Sequence, residues 1–436
     1  MKRDEFAKRR RQLMREMGRD AIAILPAAQV KRRNGTNEFA YRQDSDFYFL
    51  TGFPESSAVA VLIPHREQGE YVLFGQERDP TRELWDGPRA GQTGAVDQYG
   101  ADDGFPIGDI DDILPGLLES RSRVYYTMGL NLEFDQRVMS WVNGLRAQSR
   151  HGLHTPQEFV ALDHLLHDMR LYKSRPEITA MRRSAEIAVS AHLRAMRMAR
   201  PGVMEYEVAA EIVHEFQRQQ ADIAYQPIVG GGANACVLHY RDNTQMLRDG
   251  DLLLIDAGCE HDYYASDITR TFPVGGRFSG PQRALYEVVL EAQLAAIKAC
   301  VAGHHWNDPH DAAVRAITRG LIDLGFLKGK LPKLVREGAY RPWFMHRTGH
   351  WIGMDVHDVG DYKVGDAWRV LEPGMVMTVE PGLYVPPNDK SAPKSFRGIG
   401  IRIEDDVAVT RASPDVLTGA LVKEPDAIER YLAEAA

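Results

Sequence analysis

Apolar positions in the first third of the chain form short runs, and helical patterns such as residues 134–145 alternate with them. The runs are rich in β-branched and aromatic residues, which is typical of buried strands. This order of elements predicts a small α/β domain over residues 1–170. The five strand-like runs are residues 21–25, 46–50, 58–63, 71–74 and 124–128.

The rest of the chain combines longer helical patterns with strand-like runs. Apolar residues recur at helical spacing from Ile178 to Ala191, and the pair Pro201-Gly202 ends that pattern. Strand-like runs lie between and after the helical segments. The mixture predicts an α+β domain over residues 171–436. Its further helical patterns cover residues 206–217, 283–299 and 312–324.

The second domain contains an internal duplication that can be read without an alignment. Segments 250–258 and 374–382 share one frame: a glycine, an apolar strand, a carboxylate six positions after that glycine, and a glycine two positions later. Each segment is followed by a second strand that carries another acid and a nearby arginine, Arg270 or Arg402. We therefore expect a pseudo-two-fold site with two carboxylates from each half. These acids are Asp256, Asp267, Glu380 and Glu404.

Three of these acids, taken alone, have an ordinary structural interpretation. Asp256 precedes Ala-Gly and Glu380 precedes Pro-Gly, where an acid commonly forms a turn. Glu404 shares a strand face with Arg402, so it is also explained as a core acid in an ion pair. Four acids that converge in one domain interior would repel each other unless cations neutralised them. The set therefore predicts a metal site, with Mn²⁺ as the first choice and Co²⁺ or Zn²⁺ as alternatives.

An imidazole ligand is expected from residues 344–358, which hold His346, His350 and His357. Three histidines within twelve residues, flanked by glycines, favour a functional site over a structural role. His346 and His350 have the spacing of an HExxH zinc motif, but Arg347 occupies the position of its glutamate. A zincin helix is therefore disfavoured.

Charge and cysteine content exclude several classes of protein. The formal charge is -8, and the one basic run, residues 8–11, lies among acids, so we expect the exposed face of a first helix and no nucleic-acid partner. No apolar stretch approaches the ~20 residues that span a bilayer, so no membrane association is expected. The three cysteines form no CxxC pair, which favours a reducing, cytoplasmic setting.

At these residues the sequence resembles aminopeptidase P, a member of the pita-bread metallopeptidases that also include prolidase and methionine aminopeptidase. The likeness covers nearly the whole chain, through the segments LLLIDAG, SDITRTF, HRTGHWIGMDVHD, TVEPGLYV and GIGIRIEDD. Residues 41–53 resemble the N-terminal segment of aminopeptidase P. The resemblance implies a creatinase-like N-terminal domain, a pita-bread catalytic domain and a homo-oligomer, either a dimer or a tetramer.

The resemblance also implies roles for individual residues. Asp256 would bind one of two metal ions, His350 and Glu380 the other, and Asp267 and Glu404 would bridge them. A hydroxide shared by the ions would attack the peptide bond before a proline in second position, with Glu380 as proton shuttle. The remaining implied roles concern the substrate. His239 and His357 would contact the substrate and the intermediate, and His346 would help to bind the peptide. Arg402 would orient a bridging acid and is also counted among the substrate-binding residues.

Two alternatives remain open from the sequence. A prolidase would share the metal centre but cut only Xaa-Pro dipeptides, and residues 41–53 argue against it. A metal-free binding module on the same fold would lack ligands, whereas all five are present here. The resemblance implies a small residue at the position of Arg347, so a change in the wall of the substrate channel is expected.

Overall fold

The structure is a computed structural model that describes residues 1–148, 150 and 152–435. The chain divides into two compact units, residues 1–169 and 170–436. No helix among the described residues has both the length and the apolar character that a membrane crossing requires.

The first unit is built around a mixed six-stranded sheet. Its helices are α1 (Arg3–Met17), α2 (Ser45–Thr51), α3 (Pro80–Asp86), α4 (Gly91–Asp97), α5 (Ile110–Leu118), α6 (Leu132–Ala147) and α7 (Asp163–Leu171), which ends just past the boundary. Its strands are β1 (Ala21–Pro26), β2 (Arg32–Asn34), β3 (Asn37–Glu38), β4 (Val59–Leu62), β5 (Tyr71–Gly75), β6 (Asp103–Pro106), β7 (Arg123–Tyr125) and β8 (Glu158–Val160).

The sheet has the order β6-β5-β4-β1-β7-β8, and the α/β prediction for this unit is confirmed. Strands β1, β4 and β5 pair antiparallel, whereas β6, β7 and β8 join the sheet in parallel. Apolar side chains from the sheet pack against α5 and α6 to form the core. The central strands are buried on both faces, which explains their continuous apolar sequence.

Two local predictions for the first unit were wrong. Residues 46–50 form most of helix α2 instead of a strand, because Asp44 caps its N-terminus by accepting a hydrogen bond from the Phe47 amide and Gly52 ends it in a left-handed conformation. The basic run in α1 is not fully exposed. Arg9 and Arg10 are buried, and they donate to carbonyls in the last turn of α2.

The second unit contains six helices and thirteen strands among its described residues. The helices are α8 (Arg175–Met198), α9 (Glu205–Arg218), α10 (Gly280–Ala299), α11 (Asp308–Asp323), α12 (Leu331–Glu337) and α13 (Pro425–Ala435). The strands are β9 (Asp222–Ile223), β10 (Ile228–Gly231), β11 (Leu252–Asp256), β12 (Cys259–His261), β13 (Tyr264–Ala265), β14 (Thr269–Pro273), β15 (Lys363–Val364), β16 (Ala367–Trp368), β17 (Val376–Val379), β18 (Gly382–Val385), β19 (Ile399–Arg402), β20 (Asp405–Ala408) and β21 (Asp415–Val416).

The two duplicated segments become equivalent strands in the second unit. β11 pairs antiparallel with β14, and β17 pairs antiparallel with β20. The first acid of each half lies at the end of that half's first strand: Asp256 is the last residue of β11, and Glu380 directly follows β17. Helices α8 to α11 and α13 pack with these strands around one large apolar core. The predicted α+β domain with an internal duplication is confirmed.

A buried ion-pair cluster supports the segment that carries the predicted histidines. Asp358 lies 2.6 Å from the Arg170 guanidinium and 2.8 Å from the Lys173 ammonium, and all three side chains are at most 3% exposed. Gly353 packs against it, since a Cβ there would lie 2.2 Å from an Asp358 carboxylate oxygen. Although burial alone would raise the pKa of Asp358, Lys173 and Arg170 hold that pKa below its ordinary value.

We expect Asp358→Asn to lower the free energy of unfolding by about 3–5 kcal/mol, because it leaves the buried Lys173 ammonium without its anion and removes one of the carboxylates that pair with Arg170. Since the folded-state pKa is depressed, this contribution is present above the unfolded pKa of about 3.9 and is lost as pH falls through the lower folded value. Urea unfolding between pH 7 and pH 3 measures both effects. Asp355→Asn is the control, because Asp355 also pairs with Arg170 but its side chain is 37% exposed. Equal losses in the two variants would contradict this account.

Candidate metal centre

One cavity of the second unit, with a volume of about 860 Å³, collects every residue that the sequence predicts for the site. Carboxylates and one imidazole lie at its buried end, and the other histidines line its walls. Arg347 also lines the cavity, where it donates to Asn307 and lies 5.2 Å from the Trp368 ring. The nine predicted residues are His239, Asp256, Asp267, His346, His350, His357, Glu380, Arg402 and Glu404.

The four carboxylates reach the cavity from strand ends of the duplicated frame. Asp256 is the last residue of β11, and Asp267 lies in the short segment before β14. Glu380 and Glu404 occupy the corresponding breaks in the second half, between β17 and β18 and between β19 and β20. A break in a strand ladder frees the side chain to point into the cavity while the flanking strands fix the backbone.

His350 presents one ring nitrogen to the carboxylates. Its Nδ1 lies 2.9 Å from the carbonyl oxygen of Trp351, which can only accept, so Nδ1 carries the proton. The opposite nitrogen, Nε2, lies 3.5 Å from an Asp267 oxygen and 3.6 Å from a Glu380 oxygen. Nε2 is therefore the ring nitrogen that would ligate a metal held by these acids, as in a metal-ligating histidine.

The donor atoms are spaced for a shared cation. One ligand atom each from Asp267, His350 and Glu404 lies within 4.8 Å of the others. Oxygen-rich donors with a single imidazole suit hard and borderline divalent ions. The residues present therefore fit the metal that the sequence predicts.

The electrostatics of the cluster support the same conclusion. Burial is the largest cause that raises the pKa of Asp256, of Glu404 and of Glu380, the last to about 7, and repulsion among the acids adds to it. Arg402 opposes these shifts but provides only one positive charge. Bound divalent cations would let all the carboxylates ionise together.

Arg402 is buried beneath the acids. It lies 2.5 Å from Asp256, and its Nε donates to the hydroxyl of Thr269, which donates in turn to Glu404 over 2.6 Å. Another guanidinium nitrogen donates to the hydroxyl of Tyr384. The arginine therefore contacts one acid directly and reaches another through a threonine.

The other three histidines differ in how firmly they are held. His346 lies 2.9 Å from the Tyr384 hydroxyl, and the ring of His357 lies 4.4 Å from the ring of His350. Burial lowers the pKa of His346 to about 4 and is also the main cause that lowers the pKa of His357. His239 is exposed in the loop after β10. All three histidines line the cavity together with the acids.

Sequence reasoning missed several residues that hold the acids. The Tyr225 hydroxyl contacts both Asp256, at 2.5 Å, and Asp267. No sequence motif marks Tyr225, since it precedes these acids by more than thirty positions. Thr269 was within reach of prediction, because it follows Asp267 by two positions and strand alternation places both on one face.

The arginine of the first half has a different role from that of the second. Arg270 lies three positions from Asp267, so alternation directs it to the opposite face, where it pairs with Asp405 at 2.8 Å. It also donates to the carbonyls of Leu421 and Val422. The duplication therefore extends to the acids but not to the arginines.

Comparison with known proteins assigns the chain to a family. Residues 179–411 match metallopeptidase family M24. The chain belongs to metallopeptidase family M24. The first part of this M24 chain, residues 6–125, matches the N-terminal domain of aminopeptidase P.

Relatives of this M24 chain are similar over nearly its full length. The Xaa-Pro aminopeptidase of Escherichia coli is 44% identical over 99% of this chain and 98% of that protein. The human Xaa-Pro aminopeptidase 3 is 35% identical over 99% of this chain and 86% of its own. The structure of Pseudomonas aeruginosa aminopeptidase PepP is 58% identical, with a TM-score of 0.99 and coverage of 100% of this chain and 99% of that one.

A zinc-substituted Escherichia coli aminopeptidase P in complex with product is 44% identical to this M24 chain, with a TM-score of 0.97 over 100% of this chain and 99% of that chain. These matches confirm the predicted family and the predicted hydrolase class. They favour an aminopeptidase P over a prolidase.

Proposed function

We propose that this chain is a metal-dependent Xaa-Pro aminopeptidase, which releases the first residue from peptides with proline in second position. The observation that carries the proposal is the convergence of four carboxylates and the His350 imidazole at the buried end of one open cavity. The Xaa-Pro aminopeptidase relatives match the chain over nearly its full length, which supports the same activity.

We assign the ligands as the resemblance implies. Asp256, Asp267, His350, Glu380 and Glu404 would hold two divalent ions, with Asp267 and Glu404 as the acids shared by both. Mn²⁺ is the expected ion because the donors are mainly carboxylate oxygens. When bound, the ions supply Lewis acidity that activates water and polarises the scissile carbonyl.

The side chains around the ligands bind and orient the peptide. The acidic end of the cavity attracts the free α-amine, and Glu380 moves a proton to the departing proline nitrogen. His239, His346 and His357 line the path of the peptide, where the imidazole N–H groups of His239 and His357 donate to its carbonyl oxygens. Arg402 stays beneath the acids and keeps them aligned. The setting is proposed to be cytoplasmic, in agreement with the three free cysteines, Cys236, Cys259 and Cys300.

Proline in second position is a demanding substrate feature. The scissile bond is a tertiary amide whose nitrogen carries no hydrogen, and the ring fixes φ near −65°. An enzyme for this bond needs a cavity that accepts the ring and an open side through which a longer peptide continues. The cavity here is open to solvent and has a volume of about 860 Å³, which agrees with tripeptides and longer peptides.

We expect the protein to release the first residue from an Xaa-Pro-Yaa tripeptide, and to lose that activity on N-terminal acetylation, because the amine then no longer binds the acidic end. Replacement of the proline by alanine and chelation of the metal should also abolish cleavage, and Mn²⁺ should restore it after chelation. Chromatography of the products measures each result. Cleavage restricted to the Xaa-Pro dipeptide would instead identify a prolidase, and full turnover by metal-free protein would contradict the metal assignment.

A further inference from the structure

Glu205, the first residue of α9, is a carboxylate whose burial the proposed chemistry does not explain. Its side chain is fully buried, at 0% exposure, in the second unit. A charged carboxylate in such a position requires strong compensation, because burial removes its hydration. The structure supplies this compensation through four hydrogen-bond donors from one segment, residues 231–245.

Each oxygen of the Glu205 carboxylate accepts two hydrogen bonds. Oε1 accepts from the Gly231 amide at 2.7 Å and from the Asn234 side chain at 3.0 Å. Oε2 accepts from the Tyr240 hydroxyl at 2.8 Å and from the Gln245 amide at 2.9 Å. All four donors are uncharged, so the carboxylate is stabilised entirely by hydrogen bonds that it also holds in place.

The four donors lie at both ends and in the middle of the segment that carries His239. Gly231 ends β10, Gln245 lies where the segment returns to α9, and Tyr240 directly follows His239. The Glu205 backbone amide also donates to the Gln245 carbonyl, which closes the return. Because the His239 side chain is exposed in the cavity, the ring takes its position from the backbone of this segment.

We propose that Glu205 is the positioning residue for His239: a buried anionic anchor that shapes residues 231–245 and sets the imidazole in the substrate path. The proposal rests on the proposed function, since it assigns Glu205 a part in peptide turnover. Glu205 itself does not reach the cavity lining. Its effect passes through Tyr240 and the backbone to the neighbouring histidine.

Glu205→Gln is the most conservative test, since the amide keeps the shape but presents an NH₂ group to two donors that need an acceptor. Glu215→Gln is the matched control, because Glu215 lies on the same helix, is equally buried and is held by Ser190, Arg218 and Gln219, away from the cavity. Both variants should lower the unfolding temperature. Only Glu205→Gln should also lower kcat/KM for an Xaa-Pro-Yaa peptide, by about 10- to 100-fold, with metal content unchanged.

A double-mutant cycle separates positioning from general destabilisation. If Glu205 acts through His239, adding Glu205→Gln to a His239→Ala protein should change kcat/KM by less than about twofold, although the same substitution has a large effect alone. Losses that multiply in the double variant would overturn the proposal. A kcat/KM for Glu205→Gln within about twofold of the wild-type value would also overturn it.

Two further measurements make the outcome independent of folding and of the proposed activity. Tyr240→Phe removes a single hydrogen bond from the Glu205 carboxylate and should lower kcat/KM about fivefold. If Glu205→Gln does not fold, Tyr240→Phe takes its place as the test, and an unchanged kcat/KM overturns the proposal. Hydrogen exchange should increase for the amides of residues 231–245 in Glu205→Gln but not in Glu215→Gln. The exchange measurement does not depend on peptide cleavage. If the wild-type protein fails to cut the peptide, the proposed function is wrong, and hydrogen exchange alone tests whether Glu205 holds residues 231–245.

Discussion

Asp267→Asn is expected to lose both bound metal and activity, with a fall in kcat of roughly 10³-fold or more. Asp267 is proposed to lie between two ions, so its neutral amide removes a shared negative charge and an oxygen ligand from both. The substitution keeps the size of the side chain, which is buried and in contact with the Tyr225 hydroxyl. Elemental analysis of the purified variant and turnover of an Xaa-Pro-Yaa peptide measure the two losses.

A matched control for this prediction lies on the neighbouring strand. Asp405 is fully buried, but it pairs with Arg270 and Lys423 on the side of the strand that faces away from the cavity. Asp405→Asn should therefore lower stability and retain its metal. An Asp267→Asn protein that keeps two tightly bound ions per chain would show that Asp267 does not bridge them.

The proposed ligands were predictable because each lies in a short segment with its own signal. Asp256 and Glu380 lie at the ends of apolar strands, beside glycine-containing turns. The repeated frame marks the two acids as equivalent positions of a duplication from the sequence alone. His350 and His357 stood out through their density along the chain. A backbone that must bend sharply and expose an acid leaves a local pattern, so local reasoning can find it.

The supporting residues depend on contacts between distant parts of the chain. Tyr225 reaches Asp267 across 42 positions, and Glu205 meets Gln245 across 40. In sequence, Tyr225 is an ordinary aromatic residue, and Glu205 is an ordinary acid in the first turn of a helix. Only the folded backbone brings them to their partners, so they cannot be identified from periodicity.

The two local errors in the first unit have a related cause. Residues 46–50 contain aromatic side chains that favour strands, but the cap at Asp44 and the left-handed Gly52 select a helix. Arg9 and Arg10 are expected on an exposed helix face because the basic run lies among acids, yet carbonyl oxygens at the end of α2 accept their hydrogen bonds. In both cases a few specific hydrogen bonds outweigh the average preference of the residue type.

The second large effect should come from a histidine that is not proposed to bind metal. His357 packs edge-on against His350 at 4.4 Å and lines the cavity beside the acids, so its ring can reach a peptide carbonyl that lies over the metal centre. We expect His357→Ala to keep its metal and lose about 10²- to 10³-fold in kcat, the usual effect of removing one hydrogen bond to the transition state.

His350→Ala is the informative comparison, because it should lose metal together with activity. His304→Ala, at a largely exposed position outside the cavity lining, should behave as the wild type. A His357→Ala protein with full metal occupancy and an unchanged rate would assign His357 to structure alone, and loss of its metal would make it a ligand.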